Sequence, residues 1–457
     1  MDLTDGPILR RLMYLAAPII GSQTLQMLYN LTDMFWVGRL GSDEVAATGA
    51  AGLYMWMSVA FMLFGSIGVS IGVSQAFGAN DIKKAKSLTN TALFISLALG
   101  MAFALIMIVF RRQMAGFFNF AEQNVVAFTE DYLAIVAISI PLTYISATIG
   151  AVYTAHGNSR TPFICNAAGA AINIALDPLL IFTAGLGVHG AAYATAAAQI
   201  VVCVMLLLAF MKMKKRPFES IKLLAGPSWD DTKWIIKKAA PVCAESFLFT
   251  FLVMATSRRE AFFGADAMAI SRVGSQIESL TWLVGGAFGS ALISFIGQNY
   301  GAKKWDRINS TYKVSTVVML CYGAFVAFLL AVPGKYIFGV FLPDEALIER
   351  SVLYLRILAI CQIPMCMEGV ASNTFRGIGK TIQPAIVSTV CNVLRVPLAY
   401  ILSAESPGLG LPGLHLPGLG LPGVWIAISV SACAKGIWSY AWYMLEETKR
   451  RRSGHLA

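Results

Sequence analysis

Charge is scarce in this chain: Asp, Glu, Lys and Arg make up 13% of its 457 residues, about half the share of an ordinary water-soluble domain. That shortage excludes a protein with a fully solvated surface. Histidine is rarer still, with four in all (His156, His189, His415, His455). None is paired at ligand spacing, and neither an HExxH motif nor an Asp-rich cluster is present, so a membrane-embedded enzyme is not expected, nor a bound cofactor. The eight cysteines (Cys165, Cys203, Cys243, Cys321, Cys361, Cys366, Cys391, Cys433) form no CxxC pair and sit in apolar segments, where they read as small core hydrophobes. Alternating strand patterning is also missing, which excludes a membrane β-barrel. Nothing near the N-terminus resembles a cleavable signal, because Pro18 interrupts the first apolar run.

What the chain has instead is apolar length. Hydrophobic residues account for 57% of it. Runs near twenty residues recur from Ala92–Phe110 to Val424–Met444, each long enough to cross a ~30 Å hydrocarbon layer as a helix. About twelve such segments are expected, all helical, since backbone groups in lipid must be bonded within their own segment. The net charge of +10 would suggest nucleic acid in a soluble protein. Here the basic residues are parcelled into loops (Arg10 and Arg11; Lys83 to Lys86; Lys212 to Arg216; Lys303 to Arg307; Lys449 to Arg452), a topology signal that places both termini on the cytoplasmic side. No nucleic-acid partner is expected, only the bilayer.

The sequence repeats. Ala16-Ala17-Pro18 recurs as Ala239-Ala240-Pro241, and Gln75-x-x-Gly78-Ala79 recurs at the same offset as Gln298-x-x-Gly301-Ala302. Tyr132-Leu133 matches Tyr354-Leu355, Gly157 to Pro162 matches Gly379 to Pro384, and Asn173 to Pro178 matches Asn392 to Pro397. The expected fold is an all-α membrane protein of twelve transmembrane helices in two pseudo-symmetric six-helix bundles, residues 1–211 and 231–457, joined by a cytoplasmic linker at 212–230. One insertion, Ser403 to Gly423, repeats Leu-Pro-Gly and is read as an irregular outer loop.

Ionisable groups inside lipid are costly and usually face a bundle interior or an aqueous cavity. At ~1.5 Å per residue, Asp33 lies roughly 33 Å from the cytoplasmic end of its span and Asp177 roughly 22 Å up its own, while Tyr132 and Thr195 lie roughly 10 Å below the outer surface. Asn173 sits one turn below Asp177 on the same face. Two desolvated carboxylates at one depth suit cation coupling, with an amide, a phenol and a hydroxyl to hold a proton or coordinate Na+ at Asp33, Asp177 and Asn173. Asp33 alone also reads as an interfacial residue paired with Arg39. Pro18 and Pro178 are the expected bending points of their helices. The expected substrate-cavity residues are Gln23, Met27, Asn30 and Trp36 in the first half and Glu245, Met254 and Trp282 in the second, since a Met-rich aromatic wall suits varied apolar cations. Glu245, Glu278, Arg356 and Arg395 carry mixed signs, which favours buried ion pairs, with a second cation or substrate site at Glu245 as the alternative. The Gln-x-x-Gly-Ala repeats read as tight cytoplasmic turns.

The elements Ala-Ala-Pro18, Tyr29-Asn-Leu-Thr-Asp33, Gly38-Arg-Leu-Gly41, Gln75-x-x-Gly-Ala79, Gly157-x-x-x-Thr-Pro162, Asn173-x-x-x-Asp177-Pro178 and Gly187-x-x-Gly190-Ala-Ala resemble the multidrug and toxic compound extrusion family, over nearly the whole chain. Within it, the Asp33 and Asn173/Asp177 pattern resembles the prokaryotic DinF-like branch. The resemblance implies an ion-coupling site of Asp33, Asp177, Tyr132, Asn173 and Thr195, with Pro18 where the first helix bends. Branches of the family that couple through the second half carry acids where this chain has Phe249 and roughly Met365. The function so implied is an antiporter in the plasma membrane of a prokaryote, exporting small amphipathic and often cationic compounds in exchange for H+ or Na+; with no GxxxG-rich helix evident as a dimer face, a monomer is expected. A flippase for lipid-linked oligosaccharides shares the architecture, and Arg258, Arg259, Arg356 and Arg395 keep that alternative open.

Overall fold

Long apolar runs with few β-branched breaks leave the backbone one way to satisfy its polar groups in lipid, the α-helix. The computed structural model describes residues 2–118, 120, 122–212, 218, 226–339, 345–404 and 419–452, and its elements are helical throughout. These are α1 (Ile8–Val37), α2 (Ser42–Gly78), α3 (Ile82–Gly116), α4 (Gln123–Ala137), α5 (Ile140–Ala155), α6 (Arg160–Pro178) continued by a π-helical turn (Leu179–Thr183), α7 (Gly187–Lys212), α8 (Trp229–Ala261), α9 (Ala265–Gly301), α10 (Trp305–Ala331), the short α11 (Gly334–Gly339), α12 (Glu345–Gly377), α13 (Ile382–Leu402) and α14 (Leu421–Arg452).

Ten of these helices are long and apolar enough to cross a membrane, and α4 with α5, bent by 46° at their break, make an eleventh. The bend has a local cause: Pro141 at the start of α5 offers no N–H to the carbonyl of Ala137. Helix α1 is 30 residues long, roughly 45 Å, and falls outside that set because Gln23, Gln26, Asn30 and Asp33 dilute its apolar content. With α1 included, the described residues hold the expected twelve, six (α1, α2, α3, α4/α5, α6, α7) and six (α8, α9, α10, α12, α13, α14). Side chains such as Leu105, Val109, Phe325, Phe328, Ile437 and Leu445 are left exposed on their helices, as a lipid-facing surface requires.

The repeat is written into the backbone as well as the sequence. Left-handed residues recur at equivalent positions, Asn80 with Lys303 and Gly157 with Gly379. After α2 the Asp81 N–H bonds the Ala76 carbonyl (2.9 Å), and after α9 the Lys304 N–H bonds the Asn299 carbonyl (2.9 Å), the same six-to-one closure of a helix end. The Gln-x-x-Gly-Ala motifs therefore do lead into tight turns.

Packing divides the chain into two units at points other than the sequence halves. The first is Met1–Cys243 with Ile293–Lys304; the second is Ala244–Leu292 with Trp305–Ala457. The start of α8 joins the first unit because Trp234 and Ile235 fill the space left by Gly72 and Gly68 of α2, and because buried Asp231 accepts from Lys84 Nζ (2.6 Å) and from the Ser87 hydroxyl. Most of the 212–230 linker, and the Leu-Pro-Gly repeats of 405–418, lie outside the described residues. In the first unit one core gathers around Val69, Leu88, Ile149, Tyr153 and Phe210 and another around Phe103, Met107, Leu133 and Tyr144. The second unit's core centres on Leu355, Leu358, Phe338 and Trp425.

Candidate functional site

Helix α1 packs along α6, and α6 along α7, with α4 against α7. Each helix brings one turn of polar residues to a common place in the first unit. On α1, Tyr29 and Asp33 are four residues apart and share a face. On α6, Asn173 and Asp177 share a face in the same way: the Asn173 amide donates to Asp177 Oδ1 at 3.4 Å, and both residues are 0% exposed. Tyr132 from α4 and Thr195 from α7 are both 8% exposed, and Thr195 lies beside both Tyr132 and Tyr29. The charge of Asp33 acts on Tyr29, Tyr132 and Asp177. The five residues picked from the sequence for ion coupling thus meet in one cluster.

Tyr29 is a sixth member that sequence reasoning left unassigned. Its signal was the i, i+4 spacing to Asp33, but a tyrosine on an apolar helix reads equally well as packing.

The electrostatics of the cluster are uncompensated. Asp33 Oδ1, Asp177 Oδ2 and Asn173 Oδ1 are buried acceptor oxygens with no donor. Among the described residues no Lys, Arg or His forms an ion pair with either carboxylate. Arg39, the alternative partner of Asp33, instead lies over the rings of Phe35 (4.5 Å) and Trp36 (5.3 Å). Isolated buried charge of this kind is costly unless something positive joins it. Three hard oxygen acceptors, with phenol and hydroxyl groups beside them, fit a proton or an alkali cation better than a soft metal. No group of three or more His, Cys, Asp and Glu able to hold a metal ion occurs among the described residues.

Both prolines stand where expected, with different local effects. Pro18 lies inside a continuous α1. Pro178 closes α6, and the chain goes on as the π turn Leu179–Thr183. Gly190 of α7 packs directly on that turn, where a Cβ would meet the Leu180 carbonyl carbon at 2.6 Å.

The expected cavity residues divide. Gln23 and Asn30 are exposed on α1, Met27 half-buried, and the Gln26 amide donates to Asn30 Oδ1 (3.3 Å). Trp36 packs edge-on against Phe182 of the π turn (5.8 Å). In the second unit Met254 and Trp282 are exposed, whereas Glu245 is held by Arg376 at 3.0 Å.

Two further acids of the second unit, Glu368 and Glu278, also have cations beside them. Glu368 faces the buried Lys435 at 3.8 Å and accepts from the Ser372 hydroxyl at 2.6 Å. Glu278 lies in the field of Arg395 and Lys435, and Arg395 Nε donates to Ser431 Oγ (2.7 Å). Arg356 and Arg258 are exposed on their helices. Mixed signs do produce ion pairs here, although Arg376 and Lys435 are partners that the sequence alone did not indicate.

Comparison with known proteins adds the family. The chain is 24% identical over 400 residues to a probable multidrug resistance protein NorM of Thermotoga maritima, covering 86% of each chain. It is 26% identical to the probable multidrug resistance protein YoeA of Bacillus subtilis, covering 86% of this chain and 87% of that one, and 25% identical to the multidrug export protein MepA of Staphylococcus aureus, covering 87% and 88%. Its fold is similar to that of an outward-facing multidrug resistance MATE family transporter (TM-score 0.89, 20% identity, 98% of both chains) and to that of a MOP superfamily transporter from Pyrococcus furiosus (TM-score 0.88, 21% identity, 97% of both chains). The MatE family pattern matches residues 18–179 and 241–401, two stretches that open on the repeat-related prolines Pro18 and Pro241. This chain belongs to the MatE family of multi-pass membrane transporters.

Proposed function

We propose that the chain is a multidrug efflux antiporter of a prokaryotic plasma membrane, which releases small amphipathic, often cationic organic compounds while taking up H+ or Na+ at Asp33 and Asp177. The observation that carries this reading is the contrast between the two units. Glu245, Glu368 and Glu278 in the second are matched by Arg376, Lys435 and Arg395, whereas among the described residues the two aspartates of the first have no paired cation and leave three acceptor oxygens without donors. A site built in that way gains stability when a cation arrives, and a conformation that binds the cation better is populated by it. Relatives named as multidrug resistance and export proteins support the choice of cargo.

The residues divide the work. Asp33 and Asp177 supply negative charge. Asn173 supplies a neutral oxygen and holds Asp177 in place through its amide. Tyr29, Tyr132 and Thr195 supply hydroxyl oxygens that can turn toward an arriving ion. The basic loops favour cytoplasmic termini, and the chain works as a monomer.

The test is efflux of a fluorescent organic cation from proteoliposomes under an imposed proton gradient and then a sodium gradient. Transport driven by one ion and lost in Asp177→Asn supports the reading. Full coupled transport by Asp177→Asn removes the site from the mechanism.

A further inference from the structure

The two Gln-x-x-Gly-Ala motifs do more than turn the chain: they cross. The last turn of α9 packs on the last turn of α2 within the first unit, and the contact is reciprocal. A Cβ on Gly78 would overlap the carbonyl oxygen of Gln298, and one on Gly301 would overlap that of Gln75. One turn earlier, a Cβ on Gly297 would overlap the Ser74 hydroxyl. Backbone therefore touches backbone at two repeat-related points, an approach that only glycine permits.

A segment of the N-terminus is tied over this crossing. The Leu3 N–H donates to Gln298 Oε1 (3.0 Å), and Asn299 Nδ2 donates to the Leu3 carbonyl (3.2 Å). Lys304 Nζ donates to the Thr4 carbonyl (2.9 Å), and the Leu3 side chain is fully buried. Gln298 also donates through Nε2 to the Ala155 carbonyl at the end of α5 (2.6 Å). A single side chain thus joins α9, α5 and the strap. The strap leads through Pro7 directly into α1, the helix that carries Asp33.

We propose that this crossing is a latch: residues 2–7, Gln298 and the paired glycines hold the ends of α2 and α9 together at one membrane face, and ion occupancy on α1 opens or closes them through the strap. The contacts suit a switch better than a permanent weld. The hydrogen bonds named above are each of modest net worth, and those made by Lys304 are exposed. At the glycine crossing backbone meets backbone, with no side chain interleaved to lock the two helix ends together. The inference rests on the transport reading for the source of the ion.

The experiment is hydrogen–deuterium exchange of the full-length protein in vesicles, followed in peptides covering 70–81 and 293–304, with and without saturating sodium and at high and low pH. In the wild type, exchange in both segments is expected to change several-fold together with the coupling ion. Gln298→Ala is expected to exchange at the faster level whatever the ion, and Asp177→Asn is expected to lose the response while its crossing stays protected. A purely structural role for Gln298 predicts faster exchange in Gln298→Ala but no ion response in the wild type, and that result would overturn the latch. Efflux measured in the same vesicles reports on the transport reading separately: efflux without any ion response leaves that reading standing and removes the latch alone.

Discussion

The Asn173 amide donates to Asp177 Oδ1 across one turn of α6 at 3.4 Å, leaving Asp177 Oδ2 and Asn173 Oδ1 buried with no donor. The bond fixes the carboxylate while keeping two acceptors turned toward whatever cation arrives. Asp177→Asn and Asp33→Asn are each expected to abolish ion-driven efflux while leaving the protein folded, or more resistant to heat, because an uncompensated buried charge is removed. Efflux from vesicles together with a melting curve in detergent checks both halves of that expectation.

The hydroxyls around Thr195 should act on ion affinity more than on maximal rate. Tyr29→Phe and Thr195→Val each delete one oxygen from the cluster and leave both carboxylates. The half-saturating concentration of the driving ion is expected to rise by roughly tenfold, the effect of losing about 1.4 kcal/mol, of the order of one hydrogen bond. An unchanged half-saturation in both variants would place these hydroxyls outside the coordination shell.

Glu245 separates substrate contact from scaffold. Its carboxylate is 3.0 Å from Arg376 and both side chains are largely buried. Removing one partner leaves the other charge stranded, at a cost of about 3 kcal/mol for a buried pair. Glu245→Gln or Arg376→Gln alone should lower the melting temperature markedly, and Glu245→Gln with Arg376→Gln should recover much of it. A Glu245→Gln protein that melts like the wild type but has lost one class of substrate would instead make Glu245 a recognition residue.

Gly190 tests whether the π turn serves the site. A Cβ there meets the Leu180 carbonyl carbon at 2.6 Å, so Gly190→Ala has to move the turn that follows Pro178. Overpacking of this kind costs about 1–3 kcal/mol. Efflux is expected to fall with it, because Asp177 is the residue just before that proline. Gly185→Ala, in open space although its φ of +67° strains any side chain, is the comparison: strain without displacement of the turn should leave efflux closer to normal.

Much of this was legible in the sequence, for identifiable reasons. Twelve apolar runs and gapless repeats such as Gln75/Gln298 are local patterns, and lipid permits one secondary structure for them. The gathering of Asp33, Asp177, Tyr132 and Thr195 was legible because depth along a helix is a simple count of residues, which put them near one level. Tyr29 escaped because aromatic residues on apolar helices have a common packing role. Arg376 and Lys435 escaped as partners because ion pairs between helices distant in sequence leave no spacing rule. The meeting of the two Gln-x-x-Gly-Ala motifs was likewise invisible, since a turn is local and a crossing is not. Packing also moved the unit boundary into α8 and α9, where Trp234, Ile235 and Gln298 decide the matter with α2 and α5 rather than with their neighbours in the chain.

The pairing of Tyr132 with Tyr354 shows how the two repeats diverge. These tyrosines stand at matching positions of the sequence repeat, and each has acids in its surroundings, Asp33 and Asp177 for one and Glu260 and Glu278 for the other. The acids do not stand at matching repeat positions: Thr256 and Val396 stand where the repeat would place Asp33 and Asp177. The first repeat leaves Asp33 and Asp177 without a paired cation among the described residues, whereas the second sets Arg395 beside Glu278. Two modules of one topology therefore differ in charge balance rather than in helix order.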